Sequence, residues 1–179
     1  MNLRRLLLLI FLLPLVLIPA GLAAPEDNAW EPFAFLIGTW TGEGGGGPGE
    51  GTGGFSFQYE LDGKVLVRKN RAEYPKTKDR PAFSHKDLMV IYHESSGAPF
   101  RAEYFDTEGH VIHYAINFSK DHDGVEFLSD AGAAGPRYRL TNKRTGDDTI
   151  SIKFEIAPPG KPDAFTTYIE AKARKTSSK

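Results

Sequence analysis

Apolar and polar residues alternate along most of this chain with a period of two. The clearest run lies near the C-terminus, where Ile150, Ile152, Phe154 and Ile156 alternate with Ser151, Lys153 and Glu155. Such alternation places the two sets on opposite faces of a β-strand. About ten segments of this kind follow one another, so the sequence predicts an all-β domain.

Short turns containing glycine or aspartate separate these segments. Asp62-Gly63 joins two alternating runs, which is the strongest short-range signal for a hairpin. Sequential hairpins without a crossover helix indicate an antiparallel meander, and closure of a long meander removes its edge strands. We therefore expect an antiparallel up-and-down barrel of about ten strands. Trp30, Phe33 and Ile37 recur at helical spacing and predict a short N-terminal helix before it.

Residues 1–23 have the organisation of a secretory signal peptide. Arg4 and Arg5 precede an apolar run from Leu6 to Ile18, and Gly21-Leu22-Ala23 is a small-x-small cleavage motif. The apolar run is shorter than the roughly 20 residues of a membrane span, which disfavours a retained anchor. The sequence thus predicts an exported protein, periplasmic or extracellular, with residues 24–179 forming a single barrel domain and no membrane span after cleavage.

Charge and cysteine content exclude several classes of function. The formal net charge is −1, and loss of Arg4 and Arg5 lowers it to −3. This balance does not predict binding to nucleic acid or to an anionic membrane surface. The chain has no cysteine. Disulfides, thiolate catalysis and cysteine-ligated metals are therefore excluded, and the exported domain has to be stabilised by its core packing.

Ten of the 19 glycines lie between Gly38 and Gly54. Gly42 to Gly47 matches the Gly-x-Gly-x-x-Gly pattern of dinucleotide binders, but that motif joins a strand to a helix whose N-terminus meets the pyrophosphate. Here more glycine and then a strand follow. We interpret the stretch as the first strand, containing Trp40, followed by a flexible loop to the second strand; gating of the barrel mouth by this loop is a hypothesis.

The sequence contains no compact set of catalytic or metal-binding residues. His110 and His113 are three apart in a predicted strand and therefore point to opposite faces. His122 lies in a charged turn, and no Gly-x-Ser-x-Gly motif is present. We expect neither a metal site nor a catalytic residue, although distant strands of a barrel can assemble a site that a linear pattern does not show.

The segment Gly38-Thr39-Trp40-Thr41-Gly42-Glu43-Gly44, placed between a helix and an all-β chain, resembles the start of nitrobindin-type and fatty-acid-binding-protein-like barrels, members of the calycin group. The middle of the chain is similar to uncharacterised exported bacterial relatives of that group, for which no activity is implied. The resemblance implies that Gly38, Trp40, Gly42 and Gly44 belong to the closure of the barrel. It also implies that a basic residue of the last strand, Arg174 or Lys172, packs on the Trp40 indole.

The same resemblance raises the question of haem, which nitrobindins hold through a histidine on the final strand. Here that strand, residues 165–174, has no histidine, and Tyr168 stands where the ligand would be. Tyrosine can ligate ferric haem. Haem is thus retained as an alternative ligand, with the nitrogen-oxide chemistry that the family implies, and the leading expectation has no cofactor.

A ten-stranded barrel can enclose a small ligand. We expect a non-enzymatic barrel that binds a small apolar or amphipathic molecule such as a lipid-like acid. The alternatives are the haem protein and a structural or interaction barrel filled by its own side chains. The candidate cavity residues are Trp40, Tyr59, Tyr114, Arg139, Phe154 and Tyr168. Among them Arg139 could oppose a ligand carboxylate, or by alternation could face solvent.

Overall fold

A computed structural model describes residues 29–43, 51–95, 97–131 and 135–176. The predicted signal peptide and Gly44 lie outside this part of the chain. The described residues contain one short 3₁₀ helix, Glu31–Leu36, and ten strands. The strands are β1 (Gly38–Gly42), β2 (Thr52–Glu60), β3 (Val65–Tyr74), β4 (Phe83–His93), β5 (Phe100–Asp106), β6 (Val111–Phe118), β7 (Gly124–Ser129), β8 (Arg137–Gly146), β9 (Thr149–Ala157) and β10 (Thr166–Lys175).

The ten strands form a closed antiparallel barrel in which each strand pairs with its neighbours in sequence. The first and last strands complete the barrel, with Trp40 opposite Lys175 and Gly42 opposite Ala173. The predicted all-β up-and-down architecture is confirmed. Alternation explains it: apolar residues of each strand, such as Ile112, Tyr114 and Ile116 of β6, point into a common interior.

Tight turns connect several of the consecutive strands, including β2 to β3 and β8 to β9. Between β2 and β3, Leu61, Asp62 and Gly63 all have positive φ angles of 52°, 54° and 80°. Aspartate and glycine adopt this left-handed region more readily than most residues. Leu61 also adopts it here, as the first residue of the same turn. The hairpin predicted from Asp62-Gly63 is therefore present.

The short 3₁₀ helix covers one end of the barrel, which we call the closed end. Phe33 and Leu36 are fully buried in the core. The Phe33 ring packs edge-on against Phe100 at the start of β5 and Phe118 at the end of β6. The predicted N-terminal helix thus exists as a 3₁₀ turn, and its apolar side chains belong to the barrel core.

The second strand begins earlier than the sequence pattern predicts. Gly53 and Gly54 are paired residues of β2, whereas alternation starts only at Phe55. A Cβ atom on Gly54 would collide with the Trp40 carbonyl oxygen, and one on Gly53 with the Arg71 carbonyl oxygen. These glycines therefore permit close approach of three backbones at the start of β2.

Within the described ranges, no helix is both long enough and apolar enough to span a membrane.

Candidate functional site

The two ends of the barrel differ in how far their inward side chains are buried. At the closed end, Trp40 is 1% exposed, and Phe57 and Leu66 are fully buried. At the opposite end, inward positions are partly exposed, including Phe154, the His85 side chain at 25% and Tyr168 at 51%. We call this the open end. No helix covers it among the residues that the structure describes.

Trp40 lies at the closed end of the barrel. Its Nε1 donates a hydrogen bond to the Leu36 carbonyl oxygen at 2.8 Å, and its ring stacks on Phe55. The cation on its indole is Lys175, whose Nζ lies 5.0 Å from the ring centroid. Neither residue expected on the indole, Arg174 or Lys172, lies there, because both are on the outward face of β10. Arg174 Nε donates instead to Glu43 at 2.7 Å. Register explains this, because Trp40 is paired with Lys175.

Tyr59 belongs to the closed end and is not part of the open-end lining. It is 41% exposed, and its ring meets Trp30 edge-on with centroids 5.7 Å apart. Trp30 in turn contacts Phe33 and Phe100. Tyr59 is therefore an outer member of the aromatic group around the 3₁₀ helix, separated along the barrel from Phe154 and Tyr168.

Three aromatic residues from β8, β9 and β10 line one side of the open end. Tyr138 and Phe154 stack with centroids 5.9 Å apart and planes 8° apart, and Tyr168 meets Phe154 edge-on at 6.3 Å. We call Tyr138, Phe154 and Tyr168 the aromatic wall. It brings together two of the sequence-based candidates, Phe154 and Tyr168. The β10 register shifts between Thr167 and Ile169, which places Tyr168 in a bulge at the mouth.

Arg139 faces outward. Its neighbours Tyr138 and Leu140 point into the barrel, so alternation along β8 puts Arg139 on the outer surface. Its Nε donates to Glu155 at 2.7 Å, and its guanidinium lies 4.1 Å from the Phe165 ring centroid. This arrangement explains the deep burial of an outward-facing Glu155 and excludes Arg139 from opposing a ligand inside the barrel in this conformation.

A polar cluster lies opposite the aromatic wall, inside the barrel. It consists of Arg68 and Asn70 of β3, His85 and Asp87 of β4, and Tyr104 of β5. The Arg68 guanidinium forms an ion pair with Asp87, and the two side chains are 10% and 3% exposed. Asn70 Nδ2 donates to the second carboxylate oxygen of Asp87 at 2.7 Å. Both oxygens of this buried carboxylate are therefore satisfied.

His85 connects the polar cluster to the rim of the open end. Its Nε2 lies 3.2 Å from Asp87 Oδ2, and its Nδ1 lies 2.8 Å from Glu108 Oε2 in the β5–β6 turn. Only an imidazolium donates from both ring nitrogens. The hydrogen bond to Asp87 is the main reason that the pKa of His85 is raised above its usual value of 6.5, and burial opposes this shift.

The same interactions act on the carboxylates. Burial pushes the pKa of Asp87 upward, but the Arg68 charge and the hydrogen bonds from His85 and Asn70 together bring that pKa below its usual value. At the rim, Asp106 accepts hydrogen bonds from the His110 ring at 2.8 Å and from the His110 backbone at 2.9 Å. Although burial raises the pKa of Asp106, these bonds lower it overall. Both acids are thus ionised at neutral pH.

Two tyrosines complete this side of the interior. The Tyr104 hydroxyl lies 3.4 Å from both His85 Nε2 and Asp106 Oδ2. Tyr114 packs edge-on against Tyr104 and Phe127 and is 2% exposed. Burial raises the pKa of both hydroxyls strongly, so both stay protonated and can donate hydrogen bonds. Tyr114 was one of the cavity residues predicted from the sequence. On β6 it pairs with Ala102, which lies two residues before Tyr104 on the same face of β5.

Two buried side-chain nitrogens have no hydrogen-bond partner within the described structure, Nε2 of His93 at the closed end and Nδ2 of Asn142. Asn142 of β8 shares the inward face of Leu140, and its cross-strand neighbours are Val125 and Ile152. The residue is 2% exposed, and within the described structure its Nδ2 makes no hydrogen bond. An unmade hydrogen bond of this kind costs about 1–3 kcal/mol.

Two concave regions lie on the outer wall. A groove of about 600 Å³ runs over β1–β3, lined mostly by the outward residues Thr39, Thr41, Ser56, Gln58, Lys69 and Arg71. A smaller cleft of about 190 Å³ crosses β4–β6, lined by Tyr92, Arg101, Glu103, His113 and Asp130. Neither contains the aromatic wall. In the part of the chain that the structure describes, no group of three or more acidic or histidine side chains is placed to hold a metal ion.

The sequence pattern missed the polar cluster because β3 and β4 carry apolar residues on both faces. The inward-facing positions of β3 and β4 could nevertheless be predicted from the sequence. Asp87 lies two and four residues before Met89 and Ile91, and Arg68 lies two after Leu66, so strict alternation puts both charges inside.

Comparison with known proteins gives no identification. No protein family matches this chain, and no curated protein sequence resembles it significantly.

Proposed function

We propose that the protein binds a small apolar or amphipathic molecule in the open end of its barrel, as a non-enzymatic calycin-like carrier. The observation that carries this proposal is the pairing of two different walls at one partly exposed end. The aromatic wall offers rings to an apolar chain, and the polar cluster opposite it offers hydroxyl and imidazole groups. An apolar pocket with a few convergent polar groups is the usual form of a small-molecule site.

The arrangement of the two ends supports one entry direction. Phe33, Phe100 and Phe118 pack tightly at the closed end, and Trp40 lies beneath the 3₁₀ helix. A ligand would therefore enter past Tyr168 and lie between the aromatic wall and His85. Export to the periplasm or the extracellular space is part of the proposal and rests on residues 1–23.

The haem alternative would use Tyr168 as the axial ligand. Half of that side chain is exposed, and its described ring contact is with Phe154. Haem ligated there would lie at the rim, outside the space between the two walls. These residues fit haem less well than they fit a slender amphipath.

Native mass spectrometry of the mature protein, recovered from the periplasm after expression with its own residues 1–23, tests the proposal. A stoichiometric lipid-like mass released on denaturation is the expected result. Release of haem would overturn the carrier proposal in favour of the haem alternative. A bare chain that also fails to take up apolar probes would leave a structural barrel, and an uncleaved N-terminus would overturn export.

A further inference from the structure

We propose that the barrel interior selects an uncharged amphipath whose polar group accepts a hydrogen bond, such as a ketone or an ester, over a carboxylate or an amine of the same chain length. This inference rests on the proposed binding function and adds the chemistry of the ligand's polar group. Two independent observations carry it: the charge balance of the polar cluster and the unpartnered amide of Asn142.

The charges inside the open end are already matched by one another. Arg68 is bound to Asp87, and the His85 ring lies between Asp87 and Glu108. Asp106 is bound by His110. With His85 protonated, each carboxylate of this group has a cationic or N–H partner.

A charged ligand would disturb this balance. A carboxylate placed against the cluster would meet Asp87 and Asp106, and an ammonium would meet Arg68. Either one introduces an unmatched charge where water is largely excluded, and an unmatched buried charge is costly. A neutral polar group avoids that cost.

The aromatic wall does not supply a counter-charge beside the polar cluster. The aromatic wall consists of Tyr138, Phe154 and Tyr168, and Arg139 between Tyr138 and Leu140 is turned outward to Glu155. The inward-facing cations Arg144 and Lys175 lie at the closed end, over Phe35 and Trp40. At the rim, the exposed Arg80 of the β3–β4 connection lies 4.3 Å from the Phe83 ring centroid and forms no ion pair within the described ranges. A carboxylate could therefore be matched at the outer rim, but one placed beside Asp87 would not be.

Asn142 indicates which neutral group fits. Its flanking neighbours across both strands are apolar, and its amide donor is buried without an acceptor. Leucine has a similar size and would avoid the cost of the unmade hydrogen bond. A ligand oxygen that reaches the amide would accept the missing hydrogen bond. Asn142 would therefore lower the stability of the ligand-free protein and raise its affinity for such a ligand.

Competition among four compounds of one chain length tests the inference on the wild-type protein. The mature protein is loaded with the neutral fluorescent probe N-phenyl-naphthylamine, which is then displaced at neutral pH by methyl octyl ketone, decanoic acid, decylamine or decane. We expect the ketone to compete about tenfold better than the acid and the amine, because either charge would be buried unmatched. We expect it to compete roughly fivefold better than decane, the effect of one net hydrogen bond.

Two matched variants locate the preference. Asn142→Leu should lose the advantage of the ketone over decane while unfolding at the same temperature or a higher one. Asn117→Leu removes an exposed amide, one that donates to Glu126, and should keep the advantage. The wild-type series is informative even if Asn142→Leu does not fold.

The outcomes separate the inference from the function on which it rests. Displacement by decanoic acid or decylamine as strong as that by the ketone would overturn the inference and leave the binding function standing. A ketone preference that survives in a folded Asn142→Leu variant would overturn the role of Asn142. If the probe itself does not bind and no compound protects the protein from thermal unfolding, the proposed function fails.

Discussion

The Lys175 ammonium lies 5.0 Å from the centroid of the Trp40 indole, across the junction of the first and last strands. Close to it, the Thr176 backbone N–H donates to the Thr39 carbonyl oxygen at 2.8 Å. The contact therefore joins the two strands whose pairing turns an open meander into a closed barrel. Phe55 of β2 stacks on the same indole.

Loss of the Lys175 charge should weaken this closure. We expect Lys175→Met to lower the free energy of unfolding by about 0.5–1 kcal/mol, the usual strength of a partly exposed cation–π contact. Arg174→Met removes only an exposed ion pair with Glu43 and should change stability less. Urea unfolding of both variants measures the difference. An Arg174→Met effect larger than that of Lys175→Met would show that the surface ion pair, and not the indole contact, stabilises the junction.

Trp40 itself should matter far more. Trp40→Phe removes a buried hydrogen bond to the Leu36 carbonyl and leaves a void beside Phe55. We expect a loss of roughly 2–4 kcal/mol. Trp30→Phe at the partly exposed outer side of the 3₁₀ helix is the matched control and should cost clearly less. Equal losses in the two variants, measured by thermal and urea unfolding, would contradict a special role for Trp40.

Alternation alone was enough to predict the all-β meander, because each strand exposes one face to water and buries the other. In β9, Ile150 faces the core as that pattern requires. Alternation could not predict which cation meets Trp40. Arg174 and Lys175 are adjacent on β10, so a register change of one residue exchanges their faces. Only the pairing of Trp40 with Lys175 decides between them.

The candidate site was predictable only in part. Phe154 and Tyr168 meet in the aromatic wall, but Tyr59 lies at the closed end. A residue's position along its strand, and not its type, determines the end of the barrel at which it lies. The ion pair of Arg68 with Asp87 joins residues 19 apart in sequence, and such contacts depend on the register between β3 and β4.

Gly54 should be intolerant of even the smallest side chain. A Cβ at this position would collide with the Trp40 carbonyl, so we expect Gly54→Ala to destabilise the protein by about 1–3 kcal/mol through forced separation of β1 and β2. A Cβ on Gly135 meets no other described residue within 4 Å, so Gly135→Ala should change stability by less than about 0.5 kcal/mol. Thermal unfolding compares them, and a neutral Gly54→Ala would show that the strands can separate freely there.

The buried ion pair should be far costlier to break than to replace. Asp87→Asn leaves the Arg68 charge largely buried without its partner, and we expect a loss of about 3–5 kcal/mol. The double variant Arg68→Met with Asp87→Leu removes both charges and should regain most of that loss. A double-mutant cycle by urea unfolding measures the coupling. Additive losses from the two sites would mean that the ion pair does not act as a unit.

The polar cluster should also give stability a defined pH dependence. The pKa of His85 is raised in the folded protein, so its contribution is fully present below pH 6.5 and is lost as the pH rises through the higher folded value. The pKa of Asp87 is lowered, so its contribution is present above pH 3.8 and is lost as the pH falls through the lower folded value. The two contributions therefore coexist between these limits.

His85→Gln isolates the upper limit. We expect the stability difference between wild type and His85→Gln to be largest below pH 6.5 and to shrink as the pH rises, because the neutral ring no longer donates to both Asp87 and Glu108. Unfolding free energies measured in urea at a series of pH values give this difference directly. His113→Gln, which removes a histidine from the outer wall, serves as the control. A difference that grows above pH 6.5 would mean that His85 is held as the neutral ring, and the charge balance of the open end would then have to include a free carboxylate.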